Sequence, residues 1–349
     1  HGDSELTKND IMSALQHFLK QPLSVSVRST LRGAGQVMFQ QSAWTGILFL
    51  AGIFWGAYEC HTPAVAWGAV VGLVASTVAG MVINENFEQG IDGLWGFNGV
   101  LVGCAFPTFM GNCWQMWVAL IFCSMLTTWV RHGFNNVMEP WKVNSLTFPF
   151  VFCTWMFLLA SRYMFDMDGD ELSKPVLALA DSCRTLDTGF GALVIYWLKG
   201  IAQVFLINSW VTGAIFLVAL AVCSRAAALY AALGSALSLA IAIAYGADAS
   251  NIANGLFGFS PVLTAIAIGS TFYSITWKSA VWAVAAIVAT VFIQAGMDGM
   301  MLPFGIPTLT GPFCVTTWLF LLPRYQMDKR ADPDHSSRVQ DIEEEENRQ

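Results

Sequence analysis

The sequence predicts an all-α integral membrane protein whose ten transmembrane helices form two inverted five-helix repeats. Charged residues make up 12% of the chain and hydrophobic residues 55%, against about 25% and 45–50% in an average soluble domain. Charge is also segregated, because ten apolar spans contain no Asp, Glu, Lys, Arg or His. Most of them approach the ~20 residues that a helix needs to cross a bilayer. The spans run over about residues 37–58, 64–83, 94–110, 114–130, 146–161, 201–222, 226–246, 256–273, 279–297 and 302–323.

One glycine-rich segment occurs twice and divides the chain into two halves. Residues 93–105 read GLWGFNGVLVGCA and residues 255–267 read GLFGFSPVLTAIA, with seven of the 13 aligned positions identical. If the first copy is helical, Gly93, Gly96, Gly99 and Gly103 fall close to one face, where another backbone can approach closely. Both segments lie in rather short spans, so we expect them to cross the membrane only in part.

Two further landmarks recur in the same order around this segment. Residues 31–33 and 36–46 match residues 198–200 and 203–213 at an offset of 167, and residues 147–150 match 310–313 at an offset of 163. Five crossings per half is an odd number, so the second copy enters the membrane from the opposite side. Such inverted repeats place the substrate path where the two halves meet. Irregular backbone is tolerated there because it faces a cavity rather than lipid.

The distribution of basic residues predicts the orientation. With a cytoplasmic N-terminus, 13 of the 17 basic residues lie inside, among them Arg131 directly after the span 114–130. The other four, Arg162, Lys174, Arg184 and Lys199, lie outside. The positive-inside rule therefore places both termini in the cytoplasm.

These patterns divide the chain into five parts. Residues 1–35 are predicted to be a cytoplasmic or interfacial amphipathic segment, with Ile11, Ala14, Leu15, Phe18 and Leu19 on its apolar face. The first membrane repeat is 36–165, an extracytoplasmic linker is 166–190, and the second repeat is 191–323. The remainder, 324–349, is predicted to be an acidic cytoplasmic tail.

The chemistry of the path is predicted from what the spans lack. Ion-coupled pumps generally need an ionisable residue in the membrane, and the ten spans contain none. The eight cysteines are scattered without a CxxC pair, so no metal site is expected. No cofactor or nucleic-acid partner is expected either. The repeated motifs offer neutral polar and aromatic side chains, which suit a small uncharged polar solute.

Two alternatives stay open on the residues alone. An ion- or proton-coupled transporter of another small amide or amine would use groups outside the spans, such as Glu88 and Asp92. An intramembrane serine enzyme would use Ser260, which follows Gly258 and Phe259, but the spans hold no histidine to act as its base. We therefore expect no enzymatic activity.

The doubled Gly-Leu-aromatic-Gly-Phe segment, the Gln-Val pairs and the Thr-x-Pro-Phe pairs resemble the urea transporter family over about residues 30–325. The resemblance implies a passive urea channel in the cell membrane, built as a homotrimer with one pore per protomer. It also implies one tilted re-entrant pore helix in each half, beginning near Gly93 and Gly255.

The resemblance also implies a selectivity filter and its residues. Phe97 with Leu101, and Phe259 with Leu263, would form two narrow apolar slots at opposite ends of the pore, with Thr147 and Thr310 near its middle. The flat solute would pass edge-on and bond its amide hydrogens to carbonyl oxygens at broken helix ends. The remaining residues implied to line the path are Gln36, Val37, Phe39, Gln203, Val204 and Leu206.

Overall fold

The computed structural model describes residues 23–82, 90–162 and 186–323, with side chains from residue 26 onward. Within these ranges the chain forms thirteen α-helices, three short 3-10 turns and one π-helical segment. The helices of the first half are α1 Leu23–Gln36, α2 Ala43–Glu59, α3 Pro63–Val82, α4 Phe97–Phe109, α5 Trp114–Met138 and α6 Phe148–Ser161. Those of the second half are α7 Phe190–Ala202, α8 Trp210–Cys223, α9 Arg225–Ala244, α10 Ala249–Ala253, α11 Phe259–Ile266, α12 Trp277–Met301 and α13 Gly311–Leu321.

Several of these helices are apolar enough to lie in a membrane. In the described ranges, α3, α9 and α12 with its 3-10 extension to Phe304 are long enough to cross as single rods. A fourth span exists if α7 and α8 count as one, although they are bent by 73° at the break between them. The fold is thus that of a helical membrane protein, while the number of ten crossings stays a prediction.

Some expectations fall outside the described residues. They are the amphipathic face at residues 11–19, the linker up to residue 185, the tail from residue 324, and Glu88. The five-part division of the chain therefore stays a prediction.

The helix boundaries depart from the apolar spans at two kinds of place. The span 37–58 begins with irregular backbone, and the span 201–222 begins with the end of α7 and a 3-10 turn, so their main helices start only at Ala43 and Trp210. Conversely, α5 continues to Met138, beyond the span that ended at residue 130. Both differences arise because side-chain hydropathy says nothing about where backbone hydrogen bonding begins or ends.

Local signals recur at matching positions in the two halves. Ser42 and Ser209 cap α2 and α8, each accepting the backbone N–H three residues on at 3.3 Å. Pro149 and Pro312 occupy the first turns of α6 and α13, where proline lacks only an N–H that would have no helical partner. The prolines therefore begin these helices rather than interrupt them.

The glycine-mediated approach predicted from the sequence is confirmed. A Cβ on Gly93 would lie 2.4 Å from Gly33 N, and one on Gly255 would lie 2.5 Å from the equivalent Gly200 N. Farther along α4, Cβ atoms on Gly99 and Gly103 would come within 2.3 and 2.0 Å of carbonyl oxygens of α3. Both helix-starting turns are therefore held by direct backbone contact with the ends of α1 and α7.

The two halves meet through equivalent residues. Thr45 Oγ1 donates to Ala219 O at 3.0 Å, and Thr212 Oγ1 donates to Gly52 O at 2.8 Å. At an offset of 167, Thr212 is the counterpart of Thr45 and Ala219 that of Gly52, so each bond is the copy of the other. The start of α2 thus lies beside the end of α8, and these helices run antiparallel.

Candidate functional site

A cavity of about 100 Å³ is lined mainly by residues of the first half. It brings together five of the residues implied by the family resemblance, namely Gln36, Val37, Phe39, Phe97 and Thr147. Gln41, Leu94, Arg131, Asn135, Asn144, Ser145, Leu146, Thr271, Phe272 and Phe313 complete its wall. Leu101, which is fully buried one turn behind Phe97, does not line it.

The two threonines from the repeated motifs are in direct contact. Thr147 Oγ1 lies 2.6 Å from Thr310 Oγ1, and 3.3 Å from Cys314 Sγ. Both threonines are 3% exposed, and they are the cap residues of α6 and α13. The first turns of two helices, which carry partial positive charge, therefore meet at one buried pair of hydroxyl groups.

The two glutamines donate hydrogen bonds to backbone oxygens at equivalent positions of the two halves. Gln36 Nε2 donates to Asp92 O at 2.9 Å, and Gln203 Nε2 donates to Asn254 O at 2.8 Å. Each acceptor directly precedes the left-handed glycine that leads into α4 or α11. The amide groups thus fix the turn at the start of each copy of the duplicated segment.

Non-glycine residues in left-handed conformation flank the site. Phe39 and Leu206 both have φ of 60°, and Leu146 and Leu309 have φ of 54° and 52°. Such conformations cost on the order of 1–3 kcal/mol each and persist only where the surroundings enforce them. Phe39 and Leu206 each follow a glutamine–valine pair with one residue between, and Leu146 and Leu309 immediately precede the two threonines.

Aromatic residues of the second half close the first-half cavity. The Phe39 ring packs edge-on against Phe272 and Phe313, with centroid distances of 5.7 and 6.1 Å. Phe272 follows a π-helical segment, Ala267–Thr271, that extends α11. Phe313 belongs to the repeated Thr-x-Pro-Phe motif, so its recurrence could have identified it, whereas Phe272 has no such signal.

The second set of implied residues lies elsewhere in the protein. Phe259 is 7% exposed and Leu263 fully buried, the same values as for Phe97 and Leu101. Phe259 begins α11 and Phe272 follows its π-helical extension, so at 1.5 Å per residue the two rings are separated by ~20 Å along the axis. Because Phe272 lines the cavity of Phe97, that cavity and Phe259 lie at opposite ends of α11 with its π-helical extension. Gln203, Val204 and Leu206 do not line it either.

The expectation of an uncharged path is wrong for this cavity. Arg131 lies in its wall, is 5% exposed, and has its guanidinium carbon 5.8 Å from the centroid of the Phe97 ring. The sequence placed Arg131 in a cytoplasmic loop because the apolar span ended one residue earlier. Since α5 continues to Met138, the residue is instead part of the helix that supports the cavity.

Gln294 occupies the equivalent position in the second half. The offset of 163 is fixed by matching bonds, because Asn135 Oδ1 accepts Ser145 N at 2.9 Å and Asp298 Oδ1 accepts Thr308 Oγ1 at 2.8 Å. Gln294 is 2% exposed and donates its amide to Leu256 O. The two halves therefore differ in charge at this position.

Asp92 and Ser260, the candidates for ion coupling and for serine chemistry, are both buried side chains. Asp92 is buried and forms an ion pair with Arg32 at 3.8 Å. The Ser260 hydroxyl is buried, and no basic side chain in the described part of the chain bonds to it. Within the described ranges, no cluster of three His, Cys, Asp or Glu side chains could hold a metal ion.

The apolar helices, with an aromatic-walled cavity among them, define a helical membrane protein. The family model for urea transporters matches residues 27–325. Urea transporter 1 of Ovis aries is 31% identical over 295 residues, covering 84% of this chain and 75% of the relative. Urea transporter 1 of Rattus norvegicus is 30% identical over 306 residues with the same coverage. The chain belongs to the urea transporter family.

Proposed function

We propose that this protein carries urea and close analogues passively down their concentration gradient, through a pore between the two halves. The observation that carries the proposal is the contact of Thr147 with Thr310 at 2.6 Å. A buried pair of hydroxyl groups can both donate and accept, as a solute with one carbonyl and two amide groups requires. Its position where the halves meet is where an inverted repeat holds its substrate.

The proposed architecture is two inverted five-helix repeats, each with a tilted re-entrant pore helix, α4 or α11. The reciprocal bonds of Thr45 and Thr212 support it, because copied bonds between antiparallel helices are what a two-fold axis produces. Phe49 packs on its own counterpart Phe216 at a centroid distance of 5.0 Å. A residue can touch its counterpart only close to the axis, so this contact supports the same arrangement.

The proposed selectivity filter consists of two apolar slots, Phe97 with Leu101 and Phe259 with Leu263. Urea is flat, so a slot between apolar walls admits it edge-on and rejects bulkier amides. Each stripped amide hydrogen needs an acceptor, because an unpaired buried polar group costs about 1–3 kcal/mol. The irregular backbone at 37–42 and 206–209 offers carbonyl oxygens to either slot.

Passive rather than ion-coupled transport is favoured by the surroundings of the acidic candidate that the structure describes. Asp92 forms an ion pair with Arg32, and its backbone oxygen accepts the amide of Gln36. A carboxylate held in this way supports the turn before α4 and is poorly placed to exchange ions during transport.

We further infer a homotrimer in the cell membrane with one pore per protomer and both termini in the cytoplasm. The distribution of basic residues supports the orientation, and the family supports the assembly. Light scattering of the purified protein measures the subunit number. A monomeric mass in mild detergent would count against the trimer without affecting the pore.

Stopped-flow efflux of urea from proteoliposomes tests the transport proposal. We expect efflux well above that of empty liposomes, unchanged when sodium and proton gradients are collapsed, with methylurea and thiourea acting as competitors. A requirement for either gradient would overturn the passive mechanism. Efflux no faster than from empty liposomes would overturn the function itself.

A further inference from the structure

A slot that accepts urea between aromatic and aliphatic walls has the shape to accept the guanidinium ion as well. The guanidinium ion is planar and nearly the same size as urea, and it carries amino groups in the same plane. In addition, the face of an aromatic ring attracts cations within about 6 Å of its centroid. If the proposed function holds, the walls that admit urea would also bind guanidinium unless something disfavours it.

We propose that Arg131 provides this discrimination by repelling planar cations from the Phe97 slot. Its guanidinium carbon lies 5.8 Å from the centroid of the Phe97 ring, so the side chain already occupies the ring face that an entering cation would use. The guanidinium is also part of the wall of the cavity that Phe97 lines. A neutral amide entering the slot meets hydrogen-bond donors there, whereas a cation meets a like charge.

The charge of Arg131 is distinctive within the cavity. Among the described residues that line it, Arg131 alone carries a charge, and Gln36, Gln41, Asn135, Asn144 and Thr147 supply neutral polar groups. Two like charges a few ångströms apart repel strongly when the surroundings are poor in water. A guanidine-type or alkylammonium ion is therefore excluded before it reaches the threonine pair.

The second half shows that the helix position does not require an arginine for folding. Gln294 holds the equivalent place in α12, is buried to the same degree, and donates to Leu256 O. A solute passes the two slots in series, so one charged barrier suffices for the whole path. Glutamine is accordingly the natural neutral replacement for Arg131.

Inhibition of urea efflux by guanidinium chloride, present on both sides of the liposome membrane, tests the proposal. We expect guanidinium to inhibit the wild-type protein weakly. In Arg131→Gln the half-inhibiting concentration of guanidinium, divided by that of thiourea in the same variant, should fall at least tenfold. Arg131→Lys should keep the weak inhibition because it retains the charge. Thiourea, which is planar but neutral, should inhibit all three proteins alike.

Arg28→Gln is the matched control, since Arg28 is exposed on α1 and does not line the cavity. It should leave guanidinium inhibition unchanged. Unaltered guanidinium sensitivity in an active Arg131→Gln protein would overturn the proposal. If that variant does not fold, the wild type alone decides, because guanidinium inhibition as strong as that by thiourea also overturns it. Urea efflux of the wild type in the same assay keeps this outcome distinct from failure of the proposed function.

Discussion

Thr147 and Thr310 lie at equivalent positions of the two halves, and their hydroxyl oxygens are 2.6 Å apart. Contact between a residue and its own counterpart occurs only close to a two-fold axis. The pair also marks the point where α6 and α13 both begin. One hydrogen bond therefore joins the two halves, at the point where we propose that the pore has its polar centre.

Replacing either threonine with valine removes this central hydroxyl at nearly constant volume. A solute at the centre then loses one hydrogen bond, worth about 0.5–1.5 kcal/mol, which corresponds to a roughly two- to twelvefold slower flux. We expect this slowing for both Thr147→Val and Thr310→Val in stopped-flow urea efflux, with unchanged elution in size-exclusion chromatography.

Thr108→Val provides the matched control for this series. Thr108 Oγ1 donates to Cys104 O of its own helix at 2.7 Å and does not line the cavity. Its loss should leave the flux within about twofold of wild type. Wild-type flux in both central variants would place the threonines outside the solute path.

Truncating a slot ring should change selectivity more than it changes urea flux. Phe97→Ala or Phe259→Ala removes one wall, so N,N′-dimethylurea and thiourea should gain permeability relative to urea, by roughly tenfold if about 1.4 kcal/mol of steric discrimination is lost. Phe109→Ala, in α4 but outside the cavity lining, should keep the wild-type ratio. Ratios unchanged in both slot variants would contradict the filter.

The features that could be predicted from sequence are those encoded by local repetition. The duplicated glycine segment indicated where backbones approach, and Gly33 does contact Gly93 in the structure. The Thr-x-Pro-Phe pairs indicated that residues 147–150 and 310–313 are equivalent, and Pro149 and Pro312 do lie in the first turns of α6 and α13. In both cases residue type and backbone conformation are linked directly, so a single sequence suffices.

The remaining features depend on tertiary packing or on helix ends. Phe272, which packs against Phe39, follows a π-helical segment at the end of α11, and nothing in the sequence marks that segment. Arg131 was assigned to a loop because charge was used to end the span, although α5 continues beyond it. The backbone breaks at 37–42 and 206–209 lie inside apolar sequence, where hydropathy gives no warning.

The inverted arrangement predicts opposite sidedness for two equivalent exposed positions. Asn112 precedes α5 and Ile275 precedes α12, at the offset of 163 that relates these helices. In a variant that lacks the eight native cysteines, a maleimide that cannot cross the membrane should label Asn112→Cys in intact cells, because this position faces the outside. Ile275→Cys should react only after the membrane is opened. Labelling of both positions from the same side would contradict the inversion.

The turns before α4 and α11 should tolerate no side chain. Gly93 and Gly255 have φ of 88° and 73°, a region that costs an L-residue roughly 1–2 kcal/mol. In addition, an added Cβ would lie 2.4 Å from Gly33 N or 2.5 Å from Gly200 N, which forces backbone to move. We expect Gly93→Ala and Gly255→Ala each to lose at least about 2 kcal/mol of stability, seen as a lower midpoint in fluorescence-detected thermal unfolding in detergent.

Gly133→Ala separates this effect from the general cost of changing a glycine. Gly133 lies within α5, and nothing is within 4 Å of the position its Cβ would take. Alanine is favoured over glycine inside a helix by up to about 1 kcal/mol, so this variant should unfold at the same temperature or slightly higher. If Gly93→Ala and Gly255→Ala matched Gly133→Ala, the close approach of the turns to α1 and α7 would not constrain the fold. Because the two turns are equivalent, a large loss in one and none in the other would show that only one half depends on this contact.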